Sequence, residues 1–207
     1  MQSVMALTDG APVAGLLLGV ILLVGVVGLF AFPALVARSV FRPYWLVPRR
    51  EYATLFSSAF VHADLAHLLF NAFTFWAFGF RLEREIGSEA FASLYLVGLL
   101  ASDAGTWLSH RHDAEYRTLG ASGAIVAVLF ASIVYFPSAS IFILPIPVPI
   151  PAPLFALAYL AYTVIAARRG KGRINHDAHL SGAMAGIAFV AFTDNDAFRR
   201  ALHQVFG

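Results

Sequence analysis

The chain of 207 residues contains no cysteine. Disulfides, thiolate nucleophiles and cysteine ligands for metals are therefore excluded. Charged residues are also scarce, at 13% of the chain, which is about half their share in an ordinary soluble domain. The net charge is only +2, and the basic residues stand in short clusters between apolar runs. This distribution predicts no nucleic-acid partner, because such a partner needs a concentrated basic surface.

Apolar residues, in contrast, make up 59% of the chain. A soluble core of this size could not bury that much apolar surface, so the bilayer is the expected solvent. The first ten residues lack the basic stretch of a signal peptide, and the apolar run after them is too long for one. We therefore expect this run to be a retained first span, in a single transmembrane domain covering residues 1–207.

Apolar stretches predict six membrane-spanning helices and an all-α fold, with Asp103 interrupting the third stretch and Asp177 at the start of the sixth. The stretches lie at residues 10–37, 65–80, 90–109, in the two halves of 118–167, and at 177–193. Pro33 is expected to kink the first span and Pro137 to end the fourth, with the proline-rich segment 145–153 as the turn before the fifth. The second and sixth spans are shorter than the roughly 20 residues that match a bilayer core. Short spans require local thinning of the bilayer or a cavity that admits water.

Polar residues inside these spans are costly and therefore indicate function. His67 and Asn71 lie near the start of span two, Ser122 starts span four and His179 starts span six. Even-numbered spans all begin on the same side of a membrane. The four side chains are therefore expected at similar depth near one face.

Ser122 lies in the sequence Gly120-Ala121-Ser122-Gly123 at the start of a helix. Flanking glycines allow close backbone approach and leave the hydroxyl accessible. A helix N-terminus also offers free N–H groups for a developing oxyanion. The alternative is that these small residues only permit tight helix packing. As a nucleophile, serine is weak and needs a base.

His179 is the candidate base. Gly182 and Gly186 follow it by three and seven residues and share its helical face. A face of small residues would let span six pack closely against another helix and bring the imidazole near Ser122. Asp177 lies on the opposite side of a helix from His179, so we predict a Ser–His dyad without a carboxylate.

His67 and Asn71 are four residues apart and project from one helical face. Both can donate hydrogen bonds to an oxyanion beside the Ser122 N–H. The rival interpretation is a zinc site that uses His62, Asp64 and His67. We expect neither a metal nor another cofactor, because no HExxH or similar arrangement is present.

With these motifs together, the chain resembles the rhomboid intramembrane proteases from about residue 50 to 193. The family pattern H-x4-H-x3-N is present as His62, His67 and Asn71, and G-x3-E-x3-G as Gly79, Glu83 and Gly87. G-x-S-G follows at residues 120–123, and A-H-x2-G-x3-G at 178–186. The order and spacing of all four elements make the resemblance specific.

The resemblance implies a six-helix protease with Ser122 as nucleophile and His179 as general base. The Ser122 N–H, His67 and Asn71 would form the oxyanion hole, with His62 and Glu83 in structural roles. Substrates would be transmembrane segments of other proteins, cleaved at small residues near helix-destabilising ones. The bilayer would be the cell's inner or plasma membrane.

Two positions depart from the family pattern. Many members have an aromatic residue four positions after the serine, where it stacks on the histidine, but this chain has Val126. Many also have Trp-Arg in the first loop, where this chain has Ala53-Thr54. The first departure leaves the support of the His179 ring unexplained, and the second concerns only the loop.

Two alternative functions remain. An inactive rhomboid-like protein that binds membrane clients would be expected to lose the serine or the histidine, and both are present. A small transporter would be expected to contain an internal repeat, and the sequence shows none.

The orientation in the membrane is also open. The resemblance predicts cytoplasmic termini, whereas the loop arginines predict a cytoplasmic Ser122 face. On the Ser122 side the basic residues are Arg38, Arg42, Arg49, Arg50, Arg111, Arg117, Arg168, Arg169, Lys171 and Arg173, and on the other side Arg81, Arg84, Arg199 and Arg200.

Overall fold

The computed structural model describes residues 10–143, 146–169 and 174–207. These residues are mainly helical and form nine α-helices with one small pair of strands. The helices are α1 Pro12–Val26, α2 Pro33–Ser39, α3 Thr54–Ser57, α4 Leu65–Ile86, α5 Ser88–His110, α6 Ser122–Tyr135, α7 Ala152–Arg169, α8 His176–Thr193 and α9 Asn195–Phe206. The strands are β1 Ser140–Ile143 and β2 Ile146–Pro151. The helical class predicted from the sequence is confirmed.

Side-chain caps define where three of the helices begin. Asp64 before α4, Asn175 before α8 and Asp194 before α9 each accept a hydrogen bond from the backbone N–H three residues ahead. The distances are 2.8, 3.0 and 2.9 Å. Such caps satisfy N–H groups that have no partner within the helix. Two of these caps therefore set the starts of the helices that carry His67 and His179.

Helix lengths differ from the lengths of the uncharged stretches. The second stretch ends at Arg81, but α4 continues to Ile86 and has 22 residues. Arginine and glutamate are good helix formers, so the charges end the apolar run without ending the helix. Gly87, with φ of 82°, ends α4. Among the helices that correspond to the six predicted spans, α6 is the shortest, with 14 residues.

Pro33 has a different effect from the predicted kink. α1 continues as a π-helical turn, Val27–Ala31, and Pro33 then starts the separate helix α2. Proline favours the first helical position and disfavours helical geometry in the residue before it. Phe32 accordingly has φ of −133° and ψ of 74°, so the chain breaks between two helices.

The proline-rich segment, which was predicted to be a turn, contains an extended strand. Residues 146–151 form β2, which pairs antiparallel with β1 and places Ile150 opposite Ile141. Residue 145, the first residue of the predicted turn, lies outside the described residues. A pair of only two strands leaves an edge free on each strand, and proline is tolerated at an edge because its nitrogen cannot donate.

Helix α6 is at the centre of the fold. Its residues 123–133 are all buried, and it packs against α4, α5 and α8. A helix that is apolar on every side can be buried on every side. Ser122, the first residue of α6, is therefore held by the most deeply packed helix described in this chain.

The outer helices expose apolar side chains instead of polar ones. Phe70 is 71% exposed, Trp76 58% and Phe192 89%. Exposed apolar surface on this scale indicates contact with lipid or a partner. Among the described residues, Pro12–Ala31 and Ser88–His110 are long and apolar enough to cross a bilayer. The count of six spans stays a prediction.

Glu83, which the resemblance suggested to be structural, ties α4 to the start of α1. The side chain is 1% exposed. Its Oε1 accepts from the Val13 N–H at 3.0 Å and from the Ser88 hydroxyl at 2.6 Å, and its Oε2 accepts from the Ala14 N–H at 2.6 Å. A carboxylate there satisfies first-turn N–H groups and complements the positive end of the helix dipole. Glu83 thus caps a helix that lies about 70 residues away in sequence.

Candidate active site

The loop that leads to Ser122 is pinned by backbone hydrogen bonds. Thr118 and Phe41 exchange N–H to carbonyl bonds at 2.9 and 3.0 Å, and the Gly120 N–H donates to the Ser58 carbonyl at 2.8 Å. Gly120 has φ of 114°, a backbone conformation that side chains with a Cβ rarely adopt. The serine hydroxyl therefore projects from a firmly positioned turn at the N-terminus of α6.

His179 lies in the first turn of α8, with its ring against the serine. The distance between its Nε2 and the Ser122 Oγ is 2.8 Å. A neutral imidazole nitrogen at this distance can accept the hydroxyl proton, which is the arrangement required of a nucleophile and its base. The structure thus brings together two side chains that are 57 positions apart.

Close packing of α6 on α8 produces this contact. A Cβ at Gly182 would overlap the carbonyl of Gly123, and a Cβ at Gly186 would overlap the carbonyl of Ala127. A Cβ at Gly123 would itself overlap the side chain of Ser102 on α5. Small residues therefore let the backbones of the two helices approach closely.

His67 and Asn71 lie on the other side of the turn at Gly120. A Cβ added to Gly120 would be 2.7 Å from the His67 Cε1, 2.9 Å from its Nε2 and 3.6 Å from the Asn71 Nδ2. Any side chain at position 120 would occupy the space in front of these two donors. The two side chains predicted to be oxyanion donors therefore face the backbone at Gly120, two residues before Ser122.

The ring of His62 is hydrogen-bonded to the side chain of Asn71. Its ring is fully buried, and its Nε2 is 3.0 Å from the Asn71 Nδ2. Burial, followed by the charge of His67, lowers the pKa of His62 to about 4. A neutral ring can accept one amide hydrogen of Asn71, which leaves the second hydrogen for another acceptor. His62 also contacts the ring of His67 edge-on, with centroids 5.0 Å apart.

Asp177, the acidic residue nearest to His179 in the sequence, is engaged by other side chains. The carboxylate of Asp177 accepts from the Ser109 hydroxyl at 2.9 Å and lies 3.0 Å from the His110 Nε2. Asn175, besides capping α8, donates from Nδ2 to the Thr106 hydroxyl at 2.9 Å. Asp103 is 9% exposed and lies on α5.

Within residues 10–143, 146–169 and 174–207, no three histidines or acids are grouped as metal ligands.

Sequence reasoning missed one residue at this site. The hydroxyl of Tyr159 on α7 is 3.0 Å from the His179 Nδ1, and the two rings lie 6.4 Å apart at an angle of 23°. A signal was present: the resemblance led us to expect an aromatic residue at the position of Val126, and a tyrosine inside the apolar segment 152–167 carries an unexplained hydroxyl.

These features define a helical membrane protein with a serine–histidine pair at the start of a buried helix. A sequence model of the Rhomboid domain matches residues 49–194. The chain is 31% identical over 152 residues to Rhomboid protein 1, mitochondrial, of Saccharomyces cerevisiae, covering 70% of this chain and 44% of that protein. It is also 31% identical over 152 residues to RHOMBOID-like protein 12, mitochondrial, of Arabidopsis thaliana, with 66% and 45% covered.

Presenilin-associated rhomboid-like protein, mitochondrial, of Homo sapiens is 30% identical over 137 residues, which cover 65% of this chain and 36% of that protein. The chain belongs to the rhomboid family of integral membrane proteins. Members of this family are generally intramembrane serine proteases. The matched part spans less than half of the length of these relatives.

Proposed function

We propose that this protein is an intramembrane serine endopeptidase that cleaves transmembrane segments of other membrane proteins. The observation that carries the proposal is the 2.8 Å contact between the Ser122 Oγ and the His179 Nε2. Rhomboid membership supplies the reaction class, and the contact supplies its two reacting groups. An inactive client-binding protein would have no need of this contact.

In the proposed reaction, the Ser122 oxygen attacks a peptide carbonyl while His179 takes the hydroxyl proton at Nε2. The carbonyl oxygen becomes an oxyanion at the N-terminus of α6, where the Ser122 N–H has no partner within the helix. His67 and Asn71 donate to the same oxyanion. His179 then returns its proton to the leaving amine, and a water molecule cleaves the acyl-enzyme with His179 as base.

Substrate selection follows from the same chemistry. A peptide bond inside a helix is shielded by neighbouring turns, so a substrate must unwind locally before Ser122 can attack. Helix-destabilising residues near the cut lower the cost of unwinding, because glycine and proline disfavour helical geometry. Small residues at the cut allow the backbone to approach the serine.

A fluorophosphonate serine probe tests the proposal directly. The native protein in its own membranes should be labelled at Ser122, because only an activated serine reacts quickly with such probes. The labelled band should enrich with the inner or plasma membrane when fractions are separated by density. Heat-denatured membranes are the control, and labelling of another serine, or none in membranes that cleave a substrate, would contradict the assignment.

The proposal includes six spans, formed by α1 and α4 to α8. The 14-residue helix α6 is about 21 Å long, shorter than the roughly 30 Å hydrocarbon core. A span of this length leaves its N-terminus below the headgroups, where local thinning or a cavity can bring water to Ser122. Water is the second substrate of the hydrolysis, so this geometry suits the proposed reaction.

Single cysteines in this cysteine-free chain test the span count and the orientation together. His112→Cys and Ile174→Cys should react with a membrane-impermeant maleimide from one side, and Glu89→Cys and Asp196→Cys from the opposite side. Family orientation predicts that the first pair reacts from outside the cell. Reaction of the first pair from two different sides would rule out the six-span arrangement.

A further inference from the structure

His179 has two ring nitrogens, and each has a different partner. Nε2 lies against the Ser122 hydroxyl at 2.8 Å, and Nδ1 lies 3.0 Å from the Tyr159 hydroxyl. Tyr159 belongs to α7, which packs along α8. The imidazole is thus held between hydroxyl groups from two helices, and only one of the hydroxyls is the nucleophile.

The role of His179 as base determines which of its ring nitrogens must carry the proton. A neutral imidazole has one N–H, and the base must keep Nε2 free to accept from Ser122. The proton must therefore be on Nδ1, where the Tyr159 oxygen can accept it. In serine proteases with a carboxylate, the third residue holds the tautomer and ring orientation in this way.

Among the described residues, no carboxylate is hydrogen-bonded to the His179 Nδ1, whose partner is the Tyr159 hydroxyl. Asp177, two residues before His179, is bound by Ser109 and His110. The remaining ring near the imidazole is that of His176, whose centroid lies 6.3 Å away with the planes at 81°. That edge-on contact supports the ring but offers no acceptor aligned with Nδ1.

Packing explains why the tyrosine comes from α7. The Tyr159 ring packs in a cluster with Val126 and lies 5.6 Å from the Phe130 ring and 5.7 Å from the Phe155 ring. Val126, on α6, is small enough to leave room for a ring from a neighbouring helix. The aromatic ring that lies beside His179 in this chain therefore also carries a hydroxyl.

We propose that Tyr159 is a positioning residue that orients His179 and holds its proton on Nδ1 by accepting the Nδ1–H hydrogen bond. This inference rests on the proposed function, because the orientation matters only if His179 acts as base. The tyrosine does not touch the reacting atoms. It acts through the imidazole alone.

Tyr159→Phe removes the hydroxyl and keeps the ring packing. With a transmembrane substrate in lipid vesicles, kcat should fall about three- to tenfold, the loss expected for one neutral hydrogen bond, while KM stays unchanged. Tyr162→Phe is the matched control on the same helix. Its ring meets the His176 ring edge-on, and its loss of a hydroxyl should leave kcat unchanged.

Nitrogen-15 NMR of protein with labelled histidines reports the tautomer of His179. This tautomer would not change if Tyr159 contributed only to stability. In the native protein the His179 signals, assigned by their loss in His179→Ala, should be those of an Nδ1–H tautomer. Tyr159→Phe should shift them towards a mixture of tautomers, and Tyr162→Phe should not. An unchanged kcat together with an unchanged His179 spectrum in Tyr159→Phe would overturn the inference.

Ser122→Ala, assayed in parallel, separates this inference from the proposed function. An inactive Ser122→Ala beside a fully active Tyr159→Phe would leave the protease standing and remove the role of the tyrosine. Activity retained by Ser122→Ala would remove both. A fall in the thermal melting temperature of Tyr159→Phe, with kcat and tautomer unchanged, would assign the hydroxyl to stability and also overturn the inference.

Discussion

Ser122→Ala and His179→Ala should each abolish cleavage of a transmembrane substrate. The first variant removes the oxygen that attacks, and the second removes the one group among the described residues that is hydrogen-bonded to this oxygen and can take its proton. Members of such a pair act as a unit, so the double variant should be no slower than either single variant. The measurement is single-turnover cleavage in lipid vesicles, which separates chemistry from product release.

The control for Ser122→Ala is Ser132→Ala on the same helix. Ser132 is buried, and its hydroxyl donates to the Phe78 carbonyl at 3.4 Å, so its loss tests the cost of changing a serine on α6. We expect near-native turnover for this control and native melting temperatures for all variants. Near-native turnover by Ser122→Ala would show that the serine is not the nucleophile.

Asn71→Ala and His67→Ala should each slow cleavage by about 10²–10³-fold, the usual loss for one oxyanion donor. The loss should fall on kcat, because the oxyanion exists only in the transition state and the intermediate. It should be smaller where the other donor or a water molecule substitutes. The measurement is kcat and KM for a single transmembrane substrate.

His62→Ala tests how much of the rate loss in Asn71→Ala comes from the hydrogen bond between Asn71 and His62. This change removes the acceptor behind the Asn71 amide and leaves the amide itself. We expect a loss of about tenfold or less, in line with one hydrogen bond. A loss equal to that of Asn71→Ala would show that Asn71 matters through the His62 contact. A rise in KM at constant kcat in either donor variant would assign the donor to substrate binding.

Much of this architecture could be predicted from local sequence. The helical class and the rhomboid family were predicted from apolar runs and four spaced motifs, and both are confirmed. Counting spans placed Ser122 and His179 at one depth, and the structure has them 2.8 Å apart. Glycine spacing predicted a smooth face on α8, and that face lies against the carbonyls of Gly123 and Ala127.

Helix boundaries were harder to predict where a charged residue ends an apolar run but favours the helical conformation. Arg81 ends an apolar run but continues α4, because arginine is a good helix former and Gly87 is the residue that stops the helix. Pro33 begins a helix instead of bending one. In both cases the sequence shows the arginine or the proline. The effect of that residue on the helix, however, depends on where the next helix cap lies.

By itself, the sequence determined the helical class, the membrane setting and the family of this protein, because hydrophobic length and motif spacing can be read along the chain. The tertiary structure alone decided that Tyr159 meets the Nδ1 of His179 and that Glu83 caps α1. Both contacts depend on how each helix is rotated about its axis and which helix lies beside it. Those angles follow from the packing of all the helices together, and no single stretch of the chain encodes them.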